Sequence, residues 1–169
     1  LEEALSEEEV TQGMVLTCQM VPSSDCVVEI PVPSTMCKTG NAAVTGKVAE
    51  VNLISPTSIE LKIRVEEELA FLPGQYVNIQ VPGTEETRAY SFSSRPGSRD
   101  LSFLIRNVPG GLMSSWLVGE ARTGDKVTLT GPMGSFYLRP IERPVLMLAG
   151  GTGLAPFLAK LEHMKANGC

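Results

Sequence analysis

Four consecutive residues carry side chains that suit a ligand with an anionic end and a flat ring. They are Arg88, Ala89, Tyr90 and Ser91, and in a strand Arg88 and Tyr90 lie on the same face. A guanidinium can pair with a phosphate, a phenol ring can lie against a flat ligand, and Ser91 adds a hydroxyl and an amide beside that ring. An ordinary strand with an aromatic residue in the core and an arginine at its rim would show the same pattern.

A second candidate site lies where a predicted helix begins. Gly111 precedes Leu112, Met113 and Ser114, and a glycine lets a ligand come close to the backbone. The first amides of a helix have no acceptor within the helix, so they can bind an anion such as a phosphate. A loop that simply enters a helix would have the same sequence.

A third motif follows an apolar segment. Residues 150–156 read Gly-Gly-Thr-Gly-Leu-Ala-Pro, a glycine turn after a predicted strand and before a predicted helix, which is the context that a dinucleotide-binding fingerprint requires. The third glycine of the standard fingerprint is missing, and Pro156 stands nearby instead. The motif is therefore weak by itself.

The elements that would position these residues are mostly strands. From Asn41 onward, short apolar alternations are separated by Pro- and Gly-containing turns, which favours a small antiparallel barrel. The predicted strands are Val44–Ile54, Ser58–Val65, Tyr76–Val81, Arg88–Phe92, Asp100–Arg106 and Lys126–Gly131. One short helix, Leu112–Val118, interrupts them and is expected to stop at Gly119.

The last part of the chain predicts a different architecture. Pro144–Ala149 is entirely apolar and is typical of a buried parallel strand. Ala155–Ala166 predicts an amphipathic helix, with Leu158, Leu161 and Met164 on its apolar side. Together they predict the opening strand and helix of an α/β unit.

The first part of the chain differs in charge from the rest. Residues 1–37 contain seven acids and no Lys or Arg, whereas the remainder has twelve acids and fourteen bases. Ser6 and Glu9 match a capping box at a helix start, and Met14–Met20 and Cys26–Ile30 predict short strands. The step in composition predicts two units joined by a proline-containing linker.

Composition excludes several classes of function. The net charge of −5 argues against a nucleic-acid partner. The longest apolar run, 145–159, is broken by the glycine turn, which argues against a membrane span. The four cysteines contain no CxxC pair, which argues against a zinc site. We expect a cytoplasmic protein in a reducing compartment.

Taken together, the three motifs resemble the ferredoxin-NADP reductase superfamily over residues 42–169. Residues 88–91 match its flavin-binding Arg-x-Tyr-Ser signature, and residues 111–114 match its diphosphate-binding Gly-x-x-Ser. Residues 73–76 match its Pro-Gly-Gln strand start, and residues 150–156 match its nicotinamide-nucleotide motif, in which Pro156 is expected. The resemblance implies a mainly β fold with a six-stranded antiparallel Greek-key barrel that binds FAD.

The start of the chain resembles the end of a plant-type [2Fe–2S] ferredoxin domain. Leu16-Thr17-Cys18, followed by Pro22 and Asp25, carries this likeness, and it implies that Cys18 is the fourth cluster ligand. The chain lacks the Cys-x4-Cys-x2-Cys run that supplies the other three ligands, so no cluster is expected in these 169 residues. The expected domains are a ferredoxin remnant (1–33), a linker (34–42), the FAD-binding barrel (43–141) and a truncated NAD(P)-binding start (142–169).

The domain order is similar to that of the reductase components of aromatic-ring dioxygenases of the benzoate, toluate and anthranilate type. The likeness implies an interior fragment of a reductase that takes electrons from NADH through FAD and a [2Fe–2S] cluster to a terminal oxygenase. Reductases of phenol and methane monooxygenases share this order, and a non-catalytic barrel is a further alternative.

The resemblance also implies roles for individual residues. Tyr90 and Ser91 are expected at the reacting ring of the flavin, Arg88 and the start of the helix at the diphosphate, and Thr152 where the nicotinamide approaches. The expected cofactor-binding residues are Arg88, Ala89, Tyr90, Ser91, Arg106, Gly111, Leu112, Met113, Ser114, Gly150, Gly151, Thr152, Gly153 and Pro156.

Overall fold

The computed structural model describes residues 5–16, 20–29, 43–141 and 143–168. The chain divides into two compact units, Leu1–Pro33 and Ser34–Cys169. Each unit is described by itself. None of the described helices is long and apolar enough to cross a membrane.

The part of the first unit that the structure describes contains one short helix, α1 (Glu7–Thr11). Ser6 caps it as predicted: its hydroxyl accepts from the Glu9 amide at 3.3 Å, and the Ser6 amide donates to the Glu9 carboxylate at 2.8 Å. This reciprocal bonding satisfies two donors at the helix start. The pKa of Glu9 is lowered, because the Ser6 amide at 2.8 Å and the Ser6 hydroxyl at 2.9 Å both donate to its charged carboxylate.

The two strands predicted in this unit are wrong for the residues that can be judged. Residues 14–16, 20 and 26–29 belong to no strand, and valines 15, 27 and 28 are exposed. An apolar segment becomes a strand only where a neighbour accepts its ladder bonds. Cys18 and the linker at 34–42 lie outside the described residues.

The second unit is built on a six-stranded sheet. Its strands are β1 (Ala43–Ser55), β2 (Ser58–Val65), β3 (Tyr76–Gln80), β4 (Thr87–Ser91), β5 (Asp100–Arg106) and β6 (Lys126–Met133). The pairings among these strands are antiparallel, and the strand order is β4-β3-β6-β1-β2-β5. All six strands predicted from the sequence are present, with ends shifted by two residues at most.

The sheet curls but does not close into a continuous barrel. Its edge strands, β4 and β5, are joined by one isolated bridge between Phe92 and Phe103, where the Ser93 amide donates to the Ser102 carbonyl at 2.8 Å. Beyond this bridge, β4 and β5 separate. The gap between the edge strands therefore leaves room for a cleft.

The core fills the inside of the curled sheet. Alternate residues of β2 are buried, which is the pattern of a strand with one face on a core. Phe92 stacks on Phe71 with ring centroids 3.7 Å apart and tilts against Phe103 at 5.4 Å. The buried cluster comprises Val48, Ile59, Leu61, Ile63, Val65, Phe71, Val77, Ile79, Val81, Phe92, Leu101, Phe103, Ile105, Met113, Trp116, Leu117, Val127 and Leu129.

Three helical segments complete the second unit and its cleft. Helix α2 (Leu112–Gly119) follows β5, a 3₁₀ turn spans Gly151–Leu154, and α3 (Ala155–Ala166) follows it directly. Helix α3 has the predicted bounds but buries a different face: Ala155, Pro156, Ala159 and Lys160 are buried. Leu161, predicted on the apolar side, is exposed.

The buried parallel strand predicted at Pro144–Ala149 is wrong. The segment belongs to no strand, and Leu146 is 83% exposed. A parallel strand needs a neighbour and a helix layer on each face, and no strand of the described residues pairs with this segment. Apolar composition alone does not supply such a partner.

Candidate functional site

The gap between β4 and β5 holds a cleft of about 480 Å³, hereafter the β4–β5 cleft. This volume lies within the range of about 300–1,000 Å³ that is usual for ligand pockets. Fifteen residues line it: Arg88, Ala89, Tyr90, Ser91, Leu104, Arg106, Val108, Gly111, Leu112, Met113, Ser114, Thr152, Gly153, Ala155 and Pro156.

The cleft brings together nearly all the residues predicted from the three motifs. The residues of β4, the start of α2 and the glycine turn before α3 face one hollow, although they are far apart in sequence. Gly150 and Gly151 are the two predicted residues that do not line it. Leu104, Val108 and Ala155 line it without having been predicted. For Leu104 the signal was present, since it alternates with the buried Phe103 and Ile105.

The electrostatics of the cleft favour an anion. Its described lining contains two cations, Arg88 and Arg106, and no Asp or Glu. Helix α2 begins beside them with Gly111 as its N-cap, which offers no side-chain oxygen to the first amides, and its first turn carries no acid. These amides and the positive end of the helix therefore remain for a ligand.

Arg88 is half-exposed at the rim of the cleft. One of its nitrogens, Nη1, donates to the Thr87 carbonyl at 2.8 Å and to the Glu86 carboxylate at 3.0 Å. The contact between Glu86 and Arg88 was not predicted from the sequence. The two residues are two positions apart at the start of β4, and this spacing alone does not indicate that their side chains meet.

Tyr90 forms the aromatic part of the wall. It opposes Val77 on β3 and packs against the buried cluster. Burial raises the pKa of its phenol to about 12, and the charge of Arg88 opposes this rise only partly. The phenol is therefore neutral at physiological pH and keeps its proton for donation.

Ser114 is buried, and its hydroxyl is already used within the protein. It accepts from the Val108 amide at 3.0 Å and donates to the Arg106 carbonyl at 3.2 Å. This hydroxyl therefore fixes the loop from β5 to α2. The backbone amide of Ser114 lies in the first turn of α2, so it has no acceptor within the helix.

A second cleft, of about 1,120 Å³, lies at the other end of β5. It is larger than the β4–β5 cleft, but its described lining holds four bases and four acids and no aromatic side chain. Such a lining matches neither a flat ring nor a diphosphate. The smaller cleft therefore fits the predicted chemistry better.

A family model described as the oxidoreductase FAD-binding domain matches residues 45–137. The chain belongs to this FAD-binding ferredoxin-reductase family. The matched range contains all six strands except the first two residues of β1, together with α2 and most of the lining of the β4–β5 cleft.

Three known proteins show how far the similarity extends. The chain is 55% identical to the toluate 1,2-dioxygenase electron transfer component of Pseudomonas putida, over 99% of this chain and 51% of that protein. It is 46% identical to the 2-halobenzoate 1,2-dioxygenase electron transfer component of Burkholderia cepacia, over 97% and 49%. A crystal structure of a cytochrome P450 reductase from Amycolatopsis superposes with a TM-score of 0.71 at 32% identity, over 98% and 52%.

The chain thus spans about half the length of the curated relatives it matches.

Among the described residues, no group of three or more His, Cys, Asp or Glu side chains is placed to hold a metal ion. Cys18, the predicted cluster ligand, is outside the described residues, and its role stays a prediction.

Proposed function

We propose that this chain is the FAD-binding portion of an NADH-dependent reductase that delivers electrons to the terminal oxygenase of an aromatic-ring dioxygenase. The observation that carries the proposal is the β4–β5 cleft, in which two arginines, an uncapped helix start and a tyrosine ring converge. The two relatives described above, at 55% and 46% identity, are electron transfer components of dioxygenases, whereas reductase components of propane 2-monooxygenases are 35–36% identical. This favours a dioxygenase over a monooxygenase as the partner.

The residues of the cleft fit FAD in charge and shape. A diphosphate carries about two negative charges, and Arg88, Arg106 and the amides of Leu112, Met113 and Ser114 offer donors without a competing acid in the lining. The aromatic wall supplies a face for the tricyclic ring. When bound, FAD accepts a hydride and releases electrons singly, and the protein supplies placement and electrostatics.

The chain's own residues have distinct tasks in this proposal. Arg88 pairs with the diphosphate, while Tyr90 lies against the flavin ring and Ser91 bonds near its hydride-accepting nitrogen. Ser114 contributes its amide, and its hydroxyl holds the loop that carries Arg106. Thr152 borders the side from which a nicotinamide approaches.

The remaining parts of the proposal concern the whole reductase. Cys18 is one of four cluster ligands, the other three belonging to residues outside this sequence, and Gly150 to Pro156 begin the NADH site. The enzyme acts in the cytoplasm, where NADH and its oxygenase partner are present.

The direct test is to add FAD to the purified chain, remove the excess and record the visible spectrum. The proposal predicts a yellow protein with one FAD per chain. A colourless protein at micromolar FAD would reject the proposal and favour a non-catalytic barrel. FMN serves as the control, since it has the same ring with a single phosphate, and it is expected to bind more weakly.

A further inference from the structure

The loop between β3 and β4 is held in one conformation by its own hydrogen bonds. The Thr84 hydroxyl donates to the Val81 carbonyl at 2.9 Å and accepts from the Glu86 amide at 3.1 Å. The Val81 amide donates to the Glu86 carbonyl at 2.8 Å. Both backbone polar groups of Glu86 are thereby bonded, and its position next to β4 is fixed.

From this position, Glu86 reaches a side chain of the β4–β5 cleft. Its Oε2 atom lies 3.0 Å from Nη1 of Arg88. The Arg88 side chain is 42% exposed and lines the cleft, whereas that of Glu86 is 60% exposed and does not. The Glu86 carboxylate, which does not line the cleft, therefore accepts from one nitrogen of the Arg88 guanidinium, which does.

We propose that Glu86 competes with the diphosphate of a bound dinucleotide for Arg88, and so sets how tightly the cleft holds that ligand. The inference rests on the proposed function, because it concerns the same site and its affinity. A carboxylate and a phosphate use the same guanidinium nitrogens in the same planar geometry. The guanidinium of Arg88 cannot give all of its donors to the Glu86 carboxylate and to a phosphate at the same time.

The direction of the effect follows from the second partner of Nη1. The Thr87 carbonyl accepts from this nitrogen at 2.8 Å, and it belongs to the backbone of β4, so it orients the guanidinium whether or not Glu86 is charged. Glu86 adds little orientation beyond this bond. While Glu86 is bonded to Arg88, its negative charge withholds Nη1 from the ligand and offsets part of the positive charge of the guanidinium, and both effects weaken binding through Arg88.

The size of the effect is limited by exposure. Pairs of exposed charges are worth about 0–1 kcal/mol, because water and salt screen them. Removing the charge of Glu86 should therefore lower the Kd for FAD by roughly two- to fivefold. Raising the salt concentration should reduce the difference from the wild type.

The chain offers a matched control in Glu85. It precedes Glu86, is also exposed, and makes none of the ion pairs found among the described residues. Glu86→Gln and Glu85→Gln change the net charge equally at nearly the same place. Only the first variant removes the contact with Arg88.

The experiment is a fluorescence titration of FAD into the wild type, both Gln variants, and each of them combined with Arg88→Ala. The inference predicts tighter binding for Glu86→Gln alone and no such gain when Arg88 is absent, because the two residues act through one contact. Equal Kd values for the two Gln variants, weaker binding by Glu86→Gln, or a gain that persists without Arg88 would each overturn it. Absence of FAD binding in the wild type would instead reject the proposed function.

Discussion

Arg88 lies at the rim of the β4–β5 cleft, and in the proposed function it is the side chain that pairs with the diphosphate. Arg88→Ala should weaken FAD binding by about 2 kcal/mol, or roughly thirtyfold in Kd, because a charge-assisted hydrogen bond is lost. Arg95→Ala is the matched control, since Arg95 is an exposed arginine in the next loop and does not line the cleft. An Arg88→Ala protein that titrates like the control would contradict the assignment.

Ser114 tests the difference between a ligand and a positioning residue. Ser114→Ala removes the buried hydroxyl that bonds the Val108 amide and the Arg106 carbonyl, and we expect the free energy of unfolding to fall by about 1–3 kcal/mol because two hydrogen bonds are lost. Urea denaturation of the protein without FAD measures this. Ser115→Ala, at the exposed next position of α2, should stay within about 0.5 kcal/mol of the wild type. Equal stability of the two variants would mean that the hydroxyl serves only a ligand.

Tyr90 should make the stability of the fold depend on alkaline pH. Its pKa of about 12 in the folded protein lies above the usual 10, so between these values the unfolded chain loses the proton and the folded chain keeps it. Stability is therefore unaffected by this group below about pH 10 and falls as the pH rises toward 12. Tyr90→Phe should reduce that fall in urea titrations between pH 9 and 11.5, and an unchanged slope would contradict the burial of the phenol.

At the scale of elements, the loop at residues 72–75 forms hydrogen bonds with the segment that follows β6 and holds that segment in place. Gln75 is fully buried, its amide oxygen accepts from the Leu72 amide at 2.8 Å, and its amide nitrogen donates to the Gly134 carbonyl at 3.1 Å. The Leu138 amide donates to the Pro73 carbonyl at 2.9 Å. The Pro-Gly-Gln motif is thus explained by packing rather than by contact with a ligand.

Gly74 and Gly83 form a matched pair for testing this packing. Both have positive φ angles, +108° and +78°, but a Cβ atom at Gly74 would collide with the Phe136 carbonyl, whereas nothing lies near Gly83. Gly83→Ala should cost about 1–2 kcal/mol of conformational strain. Gly74→Ala should cost about 1–3 kcal/mol more, because of overpacking. Thermal unfolding measures both variants, and equal melting temperatures would contradict the close approach.

Local pattern was sufficient to predict the six strands of the sheet and helices α2 and α3. It also predicted strands at Met14–Met20, Cys26–Ile30 and Pro144–Ala149, which the described residues do not form. The period of two in β2 and the Pro-Gly turns set the strands, and helix α3 begins and ends where its sequence indicates. Its buried face was mispredicted because Lys160 is buried over the Phe136 ring, with Nζ 3.3 Å from the ring centroid. A helix-wide apolar count cannot anticipate such a cation–π contact.

The features of the candidate site also divide into those that the sequence predicted and those that it did not. Residue types and spacing predicted Arg88, Tyr90 and the start of α2, because these groups belong to contiguous motifs. The contact from Glu86 and the internal bonds of Ser114 were missed, since each depends on a loop conformation that only the folded chain defines. The sequence motifs identify most residues that line this cleft, and the folded structure determines which of their polar atoms can still bind a ligand.

For the whole molecule, the central claim is that one FAD lies in the cleft beside α2. Trp116 is the only tryptophan of the chain and is buried on that helix, so its emission should be quenched by energy transfer to a flavin bound nearby. The decisive measurement is a titration of FAD into the protein with excitation of Trp116. We predict quenching that saturates at one FAD per chain, whereas emission that stays constant through a tenfold excess of FAD would contradict the account.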